Sequence, residues 1–194
     1  METNQKVKTN TSKTNKTTIS SKVTSSTMIK AYKKYLRKNV SNKKYYAIVN
    51  IGDNNAPVLL IGTRGAGNDK TGRHYTGCQI YYYKNGKAVK MDTFREGGRW
   101  LLLSRKNGQN NLTNGGSDFS IRICIKNGNL YRYQYYNNHN WKKNPENKWA
   151  ISSVKMNGRI IKNMGYLDGT LYRRHTGYYT YLKNPGISFT KNVK

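Results

Sequence analysis

The sequence predicts a mainly β fold, an antiparallel meander or partial barrel of hairpins, led by one α-helix near the N-terminus. Two observations carry this expectation. β-Rich runs flank three Asn-Gly dipeptides, at Asn85-Gly86, Asn127-Gly128 and Asn157-Gly158. Both residues of such a pair tolerate the positive φ that a two-residue hairpin turn demands. Helical spacing of apolar residues, by contrast, is clear in one stretch, Ser25 to Asn39.

Residues 1–27 are Lys, Thr, Ser and Asn with almost no apolar content and no aromatic residue. Such a tract buries too little surface to offset its ordering entropy, so it reads as a disordered basic tail. Its five lysines, spread among Ser and Thr, suit a spacer better than a polyanion-binding arm. In the helix that follows, Ser26 or Thr27 is the expected N-cap. Met28, Ile29, Tyr32, Tyr35 and Leu36 form the expected buried stripe. Lys30, Lys33, Lys34, Arg37 and Lys38 fill the remaining positions and read as a solvated face.

From Lys43 the pattern turns to strands. Tyr45 to Ile51 and Val58 to Thr63 are joined by a turn containing Pro57. Cys78 to Tyr83 pairs with Lys87 to Phe94, Phe119 to Ile125 with Leu130 to Tyr136, and Lys148 to Val154 with Arg159 to Lys162. The spacings are uneven, which argues against a propeller or solenoid. One β-rich domain with its leading helix is expected over 28–165. A C-terminal extension follows over 166–194: a broken helix or irregular hairpin from Tyr166 to Leu182, then a fraying tail after Pro185.

The chain has 194 residues, which suits one domain plus a tail. Lys and Arg number 36 against eight acids, a formal net charge of +28. Such an imbalance costs self-repulsion in the compact state and favours polyanionic partners. Two cysteines are too few for a disulfide scaffold. Cys78 alternates with Ile80 and Tyr82, so it is expected to point inward. Cys124 alternates with Arg122 and Lys126, on the other face from Ile121, Ile123 and Ile125. Two free thiols are therefore expected. The longest aliphatic runs fall far short of the roughly 20 residues that span a bilayer. Residues 1–27 carry no legible signal peptide, so the chain reads as cytoplasmic or as one whose leader was removed.

Gly62 to Gly72 resembles a phosphate loop superficially. A Walker-type loop needs Gly before the Lys and a helix after it. Here Asp69 precedes Lys70 and a strand follows, so the segment reads as a basic β-loop carrying Arg64, Lys70 and Arg73. His74, His139 and His175 make no spaced metal pair, and no cofactor motif is present. Asp92 and Glu96 are the nearest approach to a carboxylate pair, but Glu96 leads into the turn Gly97-Gly98. No enzyme is expected.

The most informative segment is Tyr131-Arg132-Tyr133-Gln134-Tyr135-Tyr136. Strand alternation puts Tyr131, Tyr133 and Tyr135 on one face and Arg132 on the other. An exposed tyrosine row beside cations would stack bases or sugars. The plainer expectation is that this row is the core side of a tyrosine-rich sheet, for the chain has 17 Tyr against three Phe. Trp141 and Trp149 read as packing anchors around Lys142 and Lys143. The candidate polyanion contacts are Arg64, Lys70, Arg73, Arg132, Lys142 and Lys143.

The stretches AYKKYLRKN, YYAIVNIGDNNAPVLLIGT and CQIYYYKNGKAVKM resemble poorly characterised secreted proteins and lipoproteins of gut-type Gram-positive bacteria. The likeness extends loosely through GGSDFSIRICIKNGNLYRY to about Lys162. In that group a leader and spacer precede a domain that opens with a short helix and a strand of the form D-I-D-G-D-G-x-P-E-L-L. Its acidic positions fall here on Asn50, Gly52, Asn54 and Val58, with Asp53 the sole acid. Calcium needs several charged oxygen ligands, so a metal held by such a loop would be lost here. The resemblance implies a secreted or cell-surface location.

The leading expectation is thus a non-catalytic, secreted or cell-surface binding module for an anionic polymer. That polymer would be a wall polymer, an anionic membrane surface or nucleic acid. The alternative is an intracellular or virion nucleic-acid-binding protein, of a virion or a mobile element, with 1–27 as its basic arm. A polymer hydrolase built on Asp92 and Glu96 is the third reading.

Overall fold

A computed structural model describes residues 23–95, 98–115, 119–137, 150–166 and 180–193; within 135–137, 150–152 and 163–166 the description is of the backbone. The fold is mainly β with antiparallel pairing, and α1 (Ser25–Asn39) is its one α-helix among the described residues. The strands are β1 (Tyr45–Ile51), β2 (Ala56–Arg64), β3 (Gly67–Asp69), β4 (Gly72–His74), β5 (Gly77–Lys84), β6 (Lys87–Phe94) and β7 (Leu102–Lys106). They continue as β8 (Gln109–Gly115), β9 (Phe119–Lys126), β10 (Asn129–Asn137), β11 (Ala150–Met156), β12 (Arg159–Tyr166), β13 (Thr180–Gly186) and β14 (Thr190–Lys191). A five-stranded sheet runs β14-β1-β2-β5-β6, a seven-stranded sheet runs β12-β11-β10-β9-β8-β7-β13, and β3-β4 form a small hairpin. Among the described residues both large sheets are open and do not close into a barrel.

The turns follow from Asn-Gly chemistry. Asn85, Asn127 and Asn157 have φ of 47°, 49° and 50°, and each is followed by a glycine of positive φ. A fourth turn of the same type, Asn107-Gly108, joins β7 to β8.

The two large sheets face each other across the main core. Val58, Leu60, Ile80 and Phe94 come from the first sheet, and Leu112, Ile121, Ile123, Ile125 and Leu130 from the second. The helix packs on the opposite side of the first sheet. Met28, Tyr32 and Leu36 meet Leu59, Ile61 and Tyr81 there. The order of layers is therefore helix, sheet, sheet. β2 lies in the middle, which is why Val58 to Ile61 is apolar at every position and buried on both faces. Tyr32 is fully buried, and its hydroxyl donates to the Pro57 carbonyl at 2.9 Å, which removes the penalty of an unpaired buried polar group.

The N-cap of α1 is Thr24, whose side chain accepts from the Thr27 amide at 3.2 Å. It stands just before the expected Ser26 or Thr27, because an N-cap must itself be extended while its hydroxyl reaches the first free amides. Ile29 and Tyr35 flank the buried stripe and are half-buried.

The segment after Pro185 does not fray. Ile187 and Phe189 are 3% exposed and complete the main core. β13 pairs with β7, and β14 pairs with β1. Asn192 is buried and donates its side-chain amide to the Val40 carbonyl at 2.8 Å and the Leu36 carbonyl at 3.3 Å. The C-terminal segment thus adds a side-chain donor to carbonyls at the end of α1. The expected elements over 167–179 lie outside the described residues.

Candidate functional site

Strand alternation is as expected in β10, but the faces are exchanged. Leu130, Arg132 and Gln134 are the buried face, while Tyr131 and Tyr133 are half-buried on the side away from the inter-sheet core. Arg132 is 2% exposed, with Nη1 3.5 Å from Asp92 Oδ2 and its guanidinium 5.1 Å above the Phe94 ring. A side chain so enclosed has no surface to offer a polymer, so Arg132 leaves the set of polyanion contacts. The tyrosine row is likewise not the core side expected of it. Tyr133 carries the Arg122 guanidinium 4.1 Å above its ring and accepts from Lys126 Nζ at 3.1 Å. That hydrogen bond holds the Lys126 ammonium above its ordinary range. Burial, helped by the charges of Arg122 and Lys126, pushes the Lys106 ammonium down. The backbone of Tyr135 lies between Ser120 and Ser152 in the sheet. Lys142 and Lys143 lie outside the described residues, as do Trp141 and Trp149.

The basic β-loop resolves into the hairpin β3-β4. Lys70 is exposed at its turn. Arg64 is exposed and donates to the Arg95 carbonyl at 2.9 Å. Arg73 is half-buried: it donates to Tyr75 Oη and Asn68 Oδ1, both at 3.3 Å, and stacks 4.7 Å above Tyr45. Two of the three expected contacts therefore remain open at the surface, and Arg73 is spent largely on holding the hairpin.

Beside Arg73, His74 is 1% exposed and stacks on Trp100 with ring centroids 4.5 Å apart. Its Nδ1 donates to the Ile187 carbonyl at 2.8 Å, and its Nε2 lies 2.9 Å from Asp69 Oδ1 and from Thr71 Oγ1. Both ring nitrogens are engaged, so His74 latches the hairpin to the C-terminal segment.

The three acids among the described residues are all occupied. Asp53 accepts from Gln109 Nε2 at 3.0 Å and from the Asn127 amide at 2.8 Å. Asp69 accepts from the Thr71 amide and hydroxyl at 2.7 and 2.6 Å. Asp92 accepts from the Thr93 amide at 2.7 Å in addition to its contact with Arg132. Among the described residues no group of three His, Cys, Asp or Glu side chains is arranged to hold a metal ion. Glu96, His139 and His175 lie outside them.

The outward face of α1 has the opposite character. Lys30, Lys33, Lys34, Arg37 and Lys38 are all exposed, and the helix contains no acid. Lys33 and Arg37 border a shallow cleft of about 190 Å³ with Tyr46 and Asn192. Their i, i+4 repulsion costs about 0.2–0.5 kcal/mol with nothing on the helix to offset it. Sequence reasoning placed these residues on a solvated face. The sequence signal that sets them apart, the absence of any Asp or Glu between Ser25 and Asn39, was not part of that expectation.

The fold and this surface define a three-layer helix–sheet–sheet domain with one acid-free cationic face. No protein-family model matches the chain, and no significant match is found among curated proteins or solved structures.

Proposed function

We propose that the protein is a non-catalytic module that binds an anionic polymer, secreted or at the cell surface. The observation that supports this best is the acid-free face of α1, with its five exposed cations. No acid lies on the helix itself, and among the described residues Asp53, Asp69 and Asp92 are held by donors elsewhere in the fold. Exposed Lys70 and Arg64 extend the same attraction over the hairpin end. The surface location rests on the resemblance of the helix and first strands to secreted and lipoprotein-type domains.

A nucleic-acid partner is the second reading. Residues 1–27 carry five lysines and lead directly into the cationic helix, so arm and helix would follow one phosphate backbone.

The experiment is binding to labelled single-stranded DNA, duplex DNA and wall teichoic acid across a salt series. We expect Lys33→Gln/Arg37→Gln to weaken binding and to lower the salt slope for duplex DNA by roughly 2. A preference for teichoic acid near physiological salt supports the surface module, and a preference for one nucleic acid supports the second reading. An unchanged slope in the variant removes α1 from the interface and overturns the proposal as framed.

A further inference from the structure

A second concave feature lies at one end of the sandwich and owes nothing to the cationic helix face. It is a cleft of about 770 Å³ between the β5-β6 turn of the first sheet and the β9-β10 turn of the second, beside the start of α1. That volume is within the roughly 300–1,000 Å³ of small-molecule sites.

Its walls are fixed by the turn that leaves β1. Gly52 has φ of 74°, and a Cβ there would sit 2.2 Å from the Ile125 carbonyl oxygen. Only glycine lets the two sheets approach so closely at that point. The next residue, Asp53, accepts from Gln109 and from the Asn127 amide, so one carboxylate ties the turn after β1 to the β9-β10 turn. Each Asp53 oxygen accepts one of these bonds, so Asp53 is held as a positioning residue in the lining.

The lining is mostly uncharged. Met28, Ile125 and Tyr82 give it an apolar side. Asn54, Asn85 and Asn127 line it from three separate turns, each exposed and each with positive φ. Their side-chain amides have no hydrogen-bond partner among the described residues. Turn chemistry explains an Asn at each position, yet the equivalent Asn107 and Asn157 turns do not line the cleft. What turn chemistry leaves unexplained is the convergence of three free amides on one cleft.

An amide side chain both donates and accepts, as each sugar hydroxyl does. The apolar C–H face of a pyranose packs on the side of an aromatic ring. We propose that this end cleft binds a short neutral glycan, with Asn54, Asn85 and Asn127 meeting its hydroxyls and Tyr82 its apolar face. Lys84, the cation in the lining, adds a contact to any acidic substituent without being required. This inference goes beyond the polyanion reading and stands apart from it, because a neutral sugar is not drawn by charge.

The test uses cellotetraose, maltotetraose and the tetramer of N-acetylglucosamine, titrated into the full chain by calorimetry at low and high salt. We expect saturable binding of at least one, changed by less than about twofold between the two salts. Asn85→Gly/Asn127→Gly removes two amides while keeping the positive-φ turns, and is expected to weaken that binding about tenfold or more. Ser25→Trp fills the cleft from its exposed rim and is expected to do the same. Both variants are expected to keep the salt-dependent polyanion binding, which separates failure of this inference from failure of the other. Absence of saturable binding to all three sugars overturns it. So does binding lost at high salt, or binding that survives both variants.

Discussion

Arg132 Nη1 stands 3.5 Å from Asp92 Oδ2 between the two sheets, with the guanidinium resting over Phe94. β6 and β10 are thereby joined by charge as well as by apolar packing. A buried pair of this kind adds little over a well-packed apolar pair, but removing one partner strands the other charge. Arg132→Met is expected to destabilise the fold by about 3 kcal/mol, the low end for buried pairs because Asp92 is 10% exposed. Arg132→Met/Asp92→Asn is expected to recover much of that loss. Urea unfolding of the two single variants and the double variant gives the coupling directly. Additive losses would show that the pair does not join the sheets.

Gly52 and Gly86 are both glycines at positive φ, at 74° and 79°, yet they answer to different constraints. A Cβ at Gly86 meets nothing within 4 Å, whereas one at Gly52 runs into the Ile125 backbone. Gly86→Ala should therefore cost only the left-handed strain, about 1–2 kcal/mol. Gly52→Ala should cost that strain plus the separation of the sheets, about 3 kcal/mol or more in total. Thermal unfolding compares the two. Equal costs would mean that the approach at Ile125 is loose, and the end cleft would lose its fixed wall.

Much of this architecture is legible in the residues, and the part that is not has a physical cause. The helix Ser25–Asn39 and the strands Tyr45–Ile51 and Lys87–Phe94 coincide with the expected ranges, because periodicity and turn chemistry act locally. The Asn107-Gly108 turn carried the same signal. The signal is weak there because the strand before it, Leu102–Lys106, is only five residues long and shares its first two residues with an aliphatic run. Arg132 shows the limit. Alternation separates it correctly from Tyr131 and Tyr133, but which face is inside depends on Asp92, 40 residues away. Ile187 and Phe189 are similar: two apolar residues in a polar tail look unremarkable until they fill a core built by distant strands. The end cleft was out of reach for the same reason, since its three asparagines come from turns joined only by the fold.

The His74 latch carries a pH dependence on its Asp69 side. Hydrogen bonds from the Thr71 side chain and then its amide, together with the His74 contact, hold the Asp69 carboxyl at about 2 against an ordinary 3.8. A carboxyl depressed by folding stabilises the fold above its unfolded value and loses that contribution as pH falls through its folded one. The hairpin β3-β4 is therefore expected to loosen between about pH 4 and pH 2. Amide exchange at Thr71 reads this directly. Asp69→Asn should abolish the dependence, and Thr71→Val should move it to higher pH. A Thr71 amide equally protected at pH 2 and pH 5 would place the latch elsewhere.

Cys78 and Cys124 are free thiols, buried at different depths of the same sandwich. Cys78 lies in the core between the sheets, and burial pushes its thiol far up. Cys124 pairs with Tyr131 on the outer side of the second sheet and is 1% exposed. Burial raises its thiol as well, against the opposing pull of Arg122 and Lys126. The thiolate is the reactive form, so both are expected to be inert in the native protein despite its cationic surface. A disulfide-exchange reagent at pH 8 should modify neither thiol natively and both after guanidinium unfolding. Rapid native modification of Cys124 alone would show that the outer layer of the second sheet opens, exposing Arg122 and Tyr133 to a ligand. Rapid modification of Cys78 would mean that the two sheets themselves part, which the Arg132–Asp92 contact and the core around Phe94 oppose.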